Sequence, residues 1–315
     1  VLERSLCFLG LLLRLDLPGL HKLIQHMVET DSDVIPRGLC AVPYARRGIT
    51  LGQLKAIADA LLGSGWLQSL CDNFNAANAE EIAAGSKFES SPNLYSIDKP
   101  FVQATTNPDA RARKDIPTEV LKMANIPDAP ELACCFSQLL NPAGLVVDVF
   151  VSHWWGHPFE RTVRSLSNFA ESVYKDLGKE SPDDVVFWIC LFALNQHQAA
   201  EEVGSSPELG PFNAALAKAR HGAVMVLDAN AEPFKRVWCL YEVQRGKNFG
   251  KKFELVTDEG PLAAAGVGAL KEIGKRLLAL RACHANASRE EDKLMIHYRI
   301  ANTAIRQIVG TLNLF

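Results

Sequence analysis

The sequence predicts an α/β protein in which a doubly wound parallel sheet follows a mainly helical N-terminal region. From residue 144 onwards short apolar runs alternate with segments of helical periodicity, whereas residues 1–90 show helical periodicity alone. Strands that are joined by crossover helices form a parallel sheet with helices on both faces. The chain has 315 residues, 48% of them hydrophobic and 22% charged, which is enough for one large domain and a smaller one.

Residues 1–90 are predicted to form the helical N-terminal region. Thr50 and Gln53 have the spacing of a capping box, and the helix that they open is predicted to end at Gly63. The apolar run at residues 6–13 is too short to cross a bilayer, so we predict no membrane span. An earlier helical face is predicted from Leu9, Leu12, Leu13, Leu17, Leu20, Leu23, Ile24 and Met27.

Residues 91–143 are predicted to be a connecting segment. Repeated breakers such as Pro92 and Pro100 interrupt its pattern. Within it, residues 93–102 are predicted to be extended and residues 117–124 to form a short helix. The segment carries aromatic side chains, so we expect it to pack against its neighbours.

Residues 144–281 are predicted to form the α/β domain, and residues 282–315 to form a C-terminal helix that begins at Ser288. Four short apolar runs rich in β-branched residues indicate buried strands. The predicted strands are residues 145–153, 185–192, 223–227 and 252–256, and the predicted helices are residues 158–177, residues 212–219, a segment that begins at Pro233, and residues 269–280.

Polar and aromatic side chains cluster where the first three predicted strands end. Ser152, His153 and Trp155 follow the first strand. Asn195 follows the second strand, and Asp228 follows the third. Because ligands in open α/β sheets bind outside the carboxyl ends of the strands, we predict a ligand site at this edge.

The helix after the third strand is predicted to contribute to the same site. Trp238 and Glu242 are four residues apart, which places them on one face of that helix, and Cys239 follows Trp238. The helix starts from the edge where the strands end. We therefore predict that Glu242 lies close to the ligand site.

Two motifs resemble a known family. The letters FVSH at the end of the first strand and WCLYEV at residues 238–243 resemble Toll/interleukin-1 receptor (TIR) domains, most closely plant-type TIR domains with the pattern WCLxEL. The resemblance covers residues 144–281. It implies a flavodoxin-like doubly wound parallel sheet, a role in signalling, and assembly as a homo-oligomer or with a TIR-like partner.

The resemblance also implies an activity. Many TIR domains cleave the nicotinamide–ribose bond of NAD, using a glutamate at the position that Glu242 occupies here. NAD would then be a substrate, and no cofactor is implied. Cleavage beside a cationic nicotinamide releases a neutral leaving group, so it needs a carboxylate near the ribose more than it needs an acid. Glu242 is the predicted catalytic residue, and the predicted substrate-binding residues are Ser152, His153, Trp155, Asn195, Asp228, Trp238 and Cys239.

An alternative interpretation makes the chain a non-catalytic TIR-like interaction or scaffold module. Glu242 could be a helix residue that is solvated or that forms an ion pair with Lys235 or Arg236, and the tryptophans could serve packing alone. The loops after FVSH and after the second strand depart from the plant-type pattern. No contact to nicotinamide or adenine is therefore assigned from the motif.

Charge, motifs and cysteine usage argue against several other classes. A net charge of -3 gives no electrostatic basis for binding nucleic acid. The absence of a GxGxxG motif argues against a dehydrogenase. His153 and His157 lie at a strand end without an HExxH motif, so no metal site is predicted. The eight cysteines form no CxxC pair, which indicates reduced thiols and a cytoplasmic protein.

Overall fold

A mixed six-stranded sheet with many helices around it organises the protein, which is of the α/β class. The computed structural model describes residues 41–204, 206–262, 275, 285–287 and 290–298. The leucine-rich helical face before residue 41, the helix at residues 269–280 and the helix start at Ser288 lie outside the described residues. The strands are β1 (Ile49–Thr50), β2 (Val149–Ser152), β3 (Val186–Ile189), β4 (Gly222–Val226), β5 (Phe253–Thr257) and β6 (Gly260–Pro261).

The strand order across the sheet is β1-β3-β2-β4-β5-β6. The four central strands are those predicted from the apolar runs, and each pairs with its neighbour in parallel. The two edge strands are antiparallel to their neighbours, so the prediction of a wholly parallel sheet is wrong at both edges. Each edge strand has only two residues, and a strand of that length is too short to show an alternating hydrophobic pattern.

Side chains of the central strands alternate between two apolar layers. Val149 and Val151 of β2 face a large core on one side of the sheet, whereas Phe150 belongs to a smaller core on the other side. Helices cover both layers, since Leu166 lies in the large core and Leu216 lies in the small core. Burial of both faces explains why these strands are continuous apolar runs in the sequence.

The helices in chain order confirm several predictions. Thr50 accepts a hydrogen bond from the Gln53 amide, which completes the predicted capping box. The predicted short helix at residues 117–124 is present, and so is the helical pattern of residues 290–298. The α-helices are α1 (Leu51–Ala58), α2 (Trp66–Ala77), α3 (Ala79–Ala83), α4 (Leu94–Ile97), α5 (Ala104–Thr106), α6 (Thr118–Met123), α7 (Phe136–Leu140), α8 (Phe159–Val173), α9 (Cys190–Ala193), α10 (Ala199–Val203), α11 (Pro211–Lys218) and α12 (Val237–Asn248).

Residues 94–102 are helical, which corrects the prediction of an extended segment at every position except Asn93. Asn93 caps α4 by accepting a hydrogen bond from the Ser96 amide, and the Ser96 hydroxyl accepts one from the Asn93 amide in return. The chain then continues through a π-helical turn, Asp98–Gln103. Pro100 has no amide hydrogen to donate, and the wider turn accommodates it without ending the helical path.

Two further boundaries differ from the predicted ones. The second predicted strand ends at Ile189, and the remaining apolar residues form α9 because a short apolar run can be buried as strand or helix. The segment at Pro233 is a 3-10 turn, Glu232–Lys235, and α12 begins after it at Val237.

The large apolar core crosses the segment boundaries predicted from the sequence. Leu54, Phe101 and Phe136 lie in the same buried cluster as Leu166 of α8. The packing is therefore continuous across residues 90 and 143. The boundaries predicted there depend on sequence pattern alone. Among the described residues, no helix combines the length and apolar character that a membrane span requires.

Candidate functional site

A hydrogen bond between Ser152 and Glu242 lies at the center of the candidate site. Ser152 is the last residue of β2, and Glu242 lies on α12, which follows the neighbouring strand β4. The chain leaves β2 for β3 on one side and later reaches β4 on the other, so a crevice opens between β2 and β4 at their carboxyl ends. There the Ser152 hydroxyl donates to Oε2 of Glu242 at 2.5 Å.

The Glu242 carboxyl group is buried, and no basic side chain of the described residues forms an ion pair with it. Its residue is 6% exposed, and Oε1 has no hydrogen-bond partner among the described residues. Burial raises the pKa of Glu242 to about 8, and the Ser152 hydroxyl offsets part of that shift. The alternative in which Lys235 neutralises Glu242 is not realised, because the Lys235 ammonium pairs with Glu232 at 2.6 Å.

Glu242 lines a cavity of about 340 Å³. Four other residues that the sequence placed in the site also line it: His153, Trp155, Trp238 and Cys239. A volume of this size lies within the range of small-molecule sites. The structure thus brings five of the eight predicted site residues to one cavity, with Ser152 bound to the carboxyl group behind it.

Asn195 and Asp228 do not line this cavity, which differs from the sequence prediction. The Asn195 amide nitrogen of the backbone donates to Glu202 at 2.9 Å, and the Asn195 side chain accepts from the backbone of His197. Asp228 accepts hydrogen bonds from the backbone of Asn230 and Glu232. Both side chains shape the loops, as Asn and Asp commonly do next to turns.

Several lining residues were not predicted from the sequence. Tyr95 comes from α4, far from the motifs in the chain, and it reaches the cavity because the Leu94 amide donates to the Trp155 carbonyl at 3.0 Å. The backbone of Phe159 also donates to the Pro92 carbonyl at 2.9 Å. No local periodicity encodes such long-range contacts. The other unpredicted lining residues that bear on the chemistry are Cys190, Phe212, Arg236 and Asp292, and Trp154 of the loop after β2 lines the cavity as well.

The two cavity cysteines are neutral thiols. Burial raises the pKa of Cys190 to about 12, and the Trp155 indole donates to its sulfur at 3.0 Å. Burial also holds the pKa of Cys239 well above its ordinary value, and its thiol donates to the His153 carbonyl at 3.6 Å. A cysteine needs thiolate character to act as a nucleophile, so these thiols serve packing and hydrogen bonding.

His153 is uncharged at neutral pH. It is 6% exposed, and neither ring nitrogen forms a well-oriented hydrogen bond with the described residues. Burial lowers the pKa of His153 to about 4, although the nearby backbone of Val151 offsets part of the shift. His157, in contrast, forms a hydrogen bond with Thr162 at 2.9 Å. No group of three or more metal-ligating side chains occurs within the described ranges.

Gly156→Ala is expected to move the Trp154 indole away from its present position. A methyl group at residue 156 would lie 2.3 Å from Cζ2 of Trp154, which is closer than any real contact. The ring is the far end of a side chain and can move, so we expect a stability loss of about 1 kcal/mol together with a changed tryptophan emission spectrum. The matched control is Gly63→Ala, because a methyl group at residue 63 meets no atom within 4 Å. Gly85→Ala would not serve, because the φ of +71° at Gly85 strains any other residue. Equal spectra for Gly156→Ala and Gly63→Ala would contradict the expected displacement.

No protein-family model, curated protein or solved structure matches this chain. The assignment of a function therefore depends on the residues of the cavity and on the motifs that they belong to.

Proposed function

We propose that this chain is a TIR-like signalling protein whose cavity hydrolyses the nicotinamide–ribose bond of NAD. The observation that carries the proposal is the Glu242 carboxyl group, which has one oxygen held by Ser152 and the other without a partner among the described residues, on the wall of the cavity. The order of the four parallel strands, β3-β2-β4-β5, supports the flavodoxin-like arrangement that the motifs imply.

The chemistry assigns one central role to Glu242. As the bond from C1′ of the ribose to the nicotinamide nitrogen breaks, the electron pair goes to that nitrogen, and the leaving nicotinamide becomes neutral. Positive charge develops at C1′, where the Glu242 carboxylate would stabilise it. A water molecule then attacks C1′, and its proton goes to the carboxylate or to solvent, which leaves ADP-ribose.

The remaining groups would position the substrate. A cavity of about 340 Å³ would hold the nicotinamide and ribose, and the adenosine part would extend past its mouth. Ser152 acts on the carboxyl group as a positioning residue, because its hydroxyl fixes Oε2 and leaves Oε1 for the substrate.

Nicotinamide release from NAD tests the proposal. We expect the parent protein to release nicotinamide and Glu242→Gln to lose activity by about 100-fold or more, since the carboxylate acts in the transition state. The matched control is Glu232→Gln, a nearby carboxylate that pairs with Lys235 on the surface. Both variants should be shown to fold, and the assay should be repeated over a range of protein concentrations because TIR-like assembly depends on self-association.

Equal turnover in the parent and in Glu242→Gln would refute the catalytic role of Glu242. No turnover by any variant, even at high protein concentration or with the protein clustered on a surface, would leave the non-catalytic interaction module as the better account.

A further inference from the structure

Aromatic residues form much of the cavity wall. Tyr95 and Trp155 pack with ring centroids 5.5 Å apart, and Phe212 and Trp238 stack with centroids 5.0 Å apart. All four residues line the cavity, and Trp154 lines it as well. The faces of aromatic rings carry partial negative charge and attract organic cations, most strongly where water is excluded.

A buried acid accompanies these rings. Glu242 has a single hydrogen-bond donor among the described residues, the neutral Ser152 hydroxyl, and no basic side chain of the described part of the chain forms an ion pair with it. A buried carboxylate without a counter-ion is costly. A cationic ligand in the cavity would supply the missing charge.

The other titratable groups around Glu242 do not supply that charge. His153 is neutral, and the thiols of Cys190 and Cys239 are protonated. Arg236 and Asp292 carry opposite charges on the cavity lining, where the Trp238 indole donates to Asp292 at 3.2 Å. Ionised Glu242 therefore gives the lining a net negative charge, and Tyr95, the remaining titratable lining group, is about half exposed.

We propose that this cavity selects flat organic cations, of which a pyridinium ring is the example, over neutral rings of the same shape. The inference rests on the proposed function in treating this cavity as the ligand site, but it concerns binding and requires no bond cleavage. It also predicts that the site accepts pyridinium compounds that carry no ribose.

Binding of such a cation is linked to a proton. Burial keeps Glu242 protonated in the empty site up to a pKa of about 8, whereas a cation beside it favours the carboxylate. At pH 7 the entry of a cation should release close to one proton. The affinity for the cation should rise about tenfold per pH unit towards pH 8 and level off above it.

Calorimetric titration with two small probes tests this selectivity. The probes are 1-methylnicotinamide, a permanent cation without a glycosidic bond, and neutral nicotinamide, each measured at pH 7 in two buffers of different ionisation enthalpy. We expect the cation to bind at least tenfold more tightly and to release close to one proton. Glu242→Gln should lose both the preference and the proton release, whereas Glu232→Gln should keep both.

Three outcomes would overturn the inference: equal affinity for the two probes, an unchanged preference in Glu242→Gln, or no binding of either probe at millimolar concentration. The results are independent of the turnover assay. Cation-selective binding without nicotinamide release would refute NAD cleavage and support the cation site, and turnover without cation preference would refute the cation site alone.

Discussion

Glu242→Gln is expected to make the protein more stable at alkaline pH, with a gain in the free energy of unfolding of roughly 4 kcal/mol at pH 8. In the unfolded chain the carboxyl group ionises near its ordinary pKa of 4.5, whereas the folded protein keeps it protonated up to a pKa of about 8. Between these two pKa values the folded state binds more protons than the unfolded state, so stability falls as the pH rises. A neutral glutamine avoids this loss and still offers an oxygen to the Ser152 hydroxyl.

Urea denaturation at pH 5, 7 and 8 measures the effect. The difference between Glu242→Gln and the parent should be below about 1 kcal/mol at pH 5 and should grow with pH. Glu232→Gln should show no such growth, because the Glu232 pair with Lys235 lies near the surface. His153 contributes its own pH dependence to every variant, which cancels in the differences. A difference that stays constant from pH 5 to pH 8 would mean that Glu242 ionises normally in the folded protein.

Glu202→Gln is expected to destabilise the protein by roughly 3 to 5 kcal/mol, the usual cost of removing one partner from a buried ion pair. The Arg47 guanidinium donates to Glu202 at 2.8 Å, and both side chains are almost completely buried. Arg47 also donates to the carbonyls of Val42 and Ala193, so it joins the segment before β1 to the end of α9. Neutralising Glu202 would take from the buried Arg47 guanidinium the carboxylate that it binds at 2.8 Å.

The matched control is Glu201→Gln, at the exposed neighbouring position on the same helix, α10. Its free energy of unfolding, measured in urea, should stay within about 0.5 kcal/mol of the parent value, the usual range for surface substitutions. A Glu202→Gln variant that also stays within about 1 kcal/mol would show that Arg47 finds full compensation elsewhere. Arg47→Met combined with Glu202→Leu should recover part of the loss, because replacing both charges removes the uncompensated one.

The sequence predicts the central strands and part of the cavity lining because these features leave local patterns. Apolar runs mark strands that are buried on both faces, and the position of Ser152, His153 and Trp155 at the end of such a run places them at the carboxyl end of β2. Helical spacing does the same for Trp238 and Glu242, which both line the cavity.

Features that depend on distant contacts could not be predicted in this way. Tyr95 and Phe212 reach the cavity through packing between segments that are far apart in the chain. The spacing of residues in the sequence does not predict such contacts. The two-residue edge strands are set by their neighbours. Asn and Asp are common in binding sites, but the side chains of Asn195 and Asp228 accept hydrogen bonds from backbone amides of their own loops.

Residues 41–143 contribute a strand, an ion pair and a cavity residue to the α/β domain predicted at residues 144–281. These contacts limit how that domain could be transferred to another protein. A chain cut at residue 144 would lose β1 and open the edge of β3 to pairing with other chains. It would also lose Tyr95 from the cavity lining and Arg47, the ion-pair partner of Glu202. Gene fusion or domain shuffling that moved residues 144–281 alone would transfer the motifs without a complete cavity. The segment that would have to move together to keep the cavity intact is therefore longer than residues 144–281.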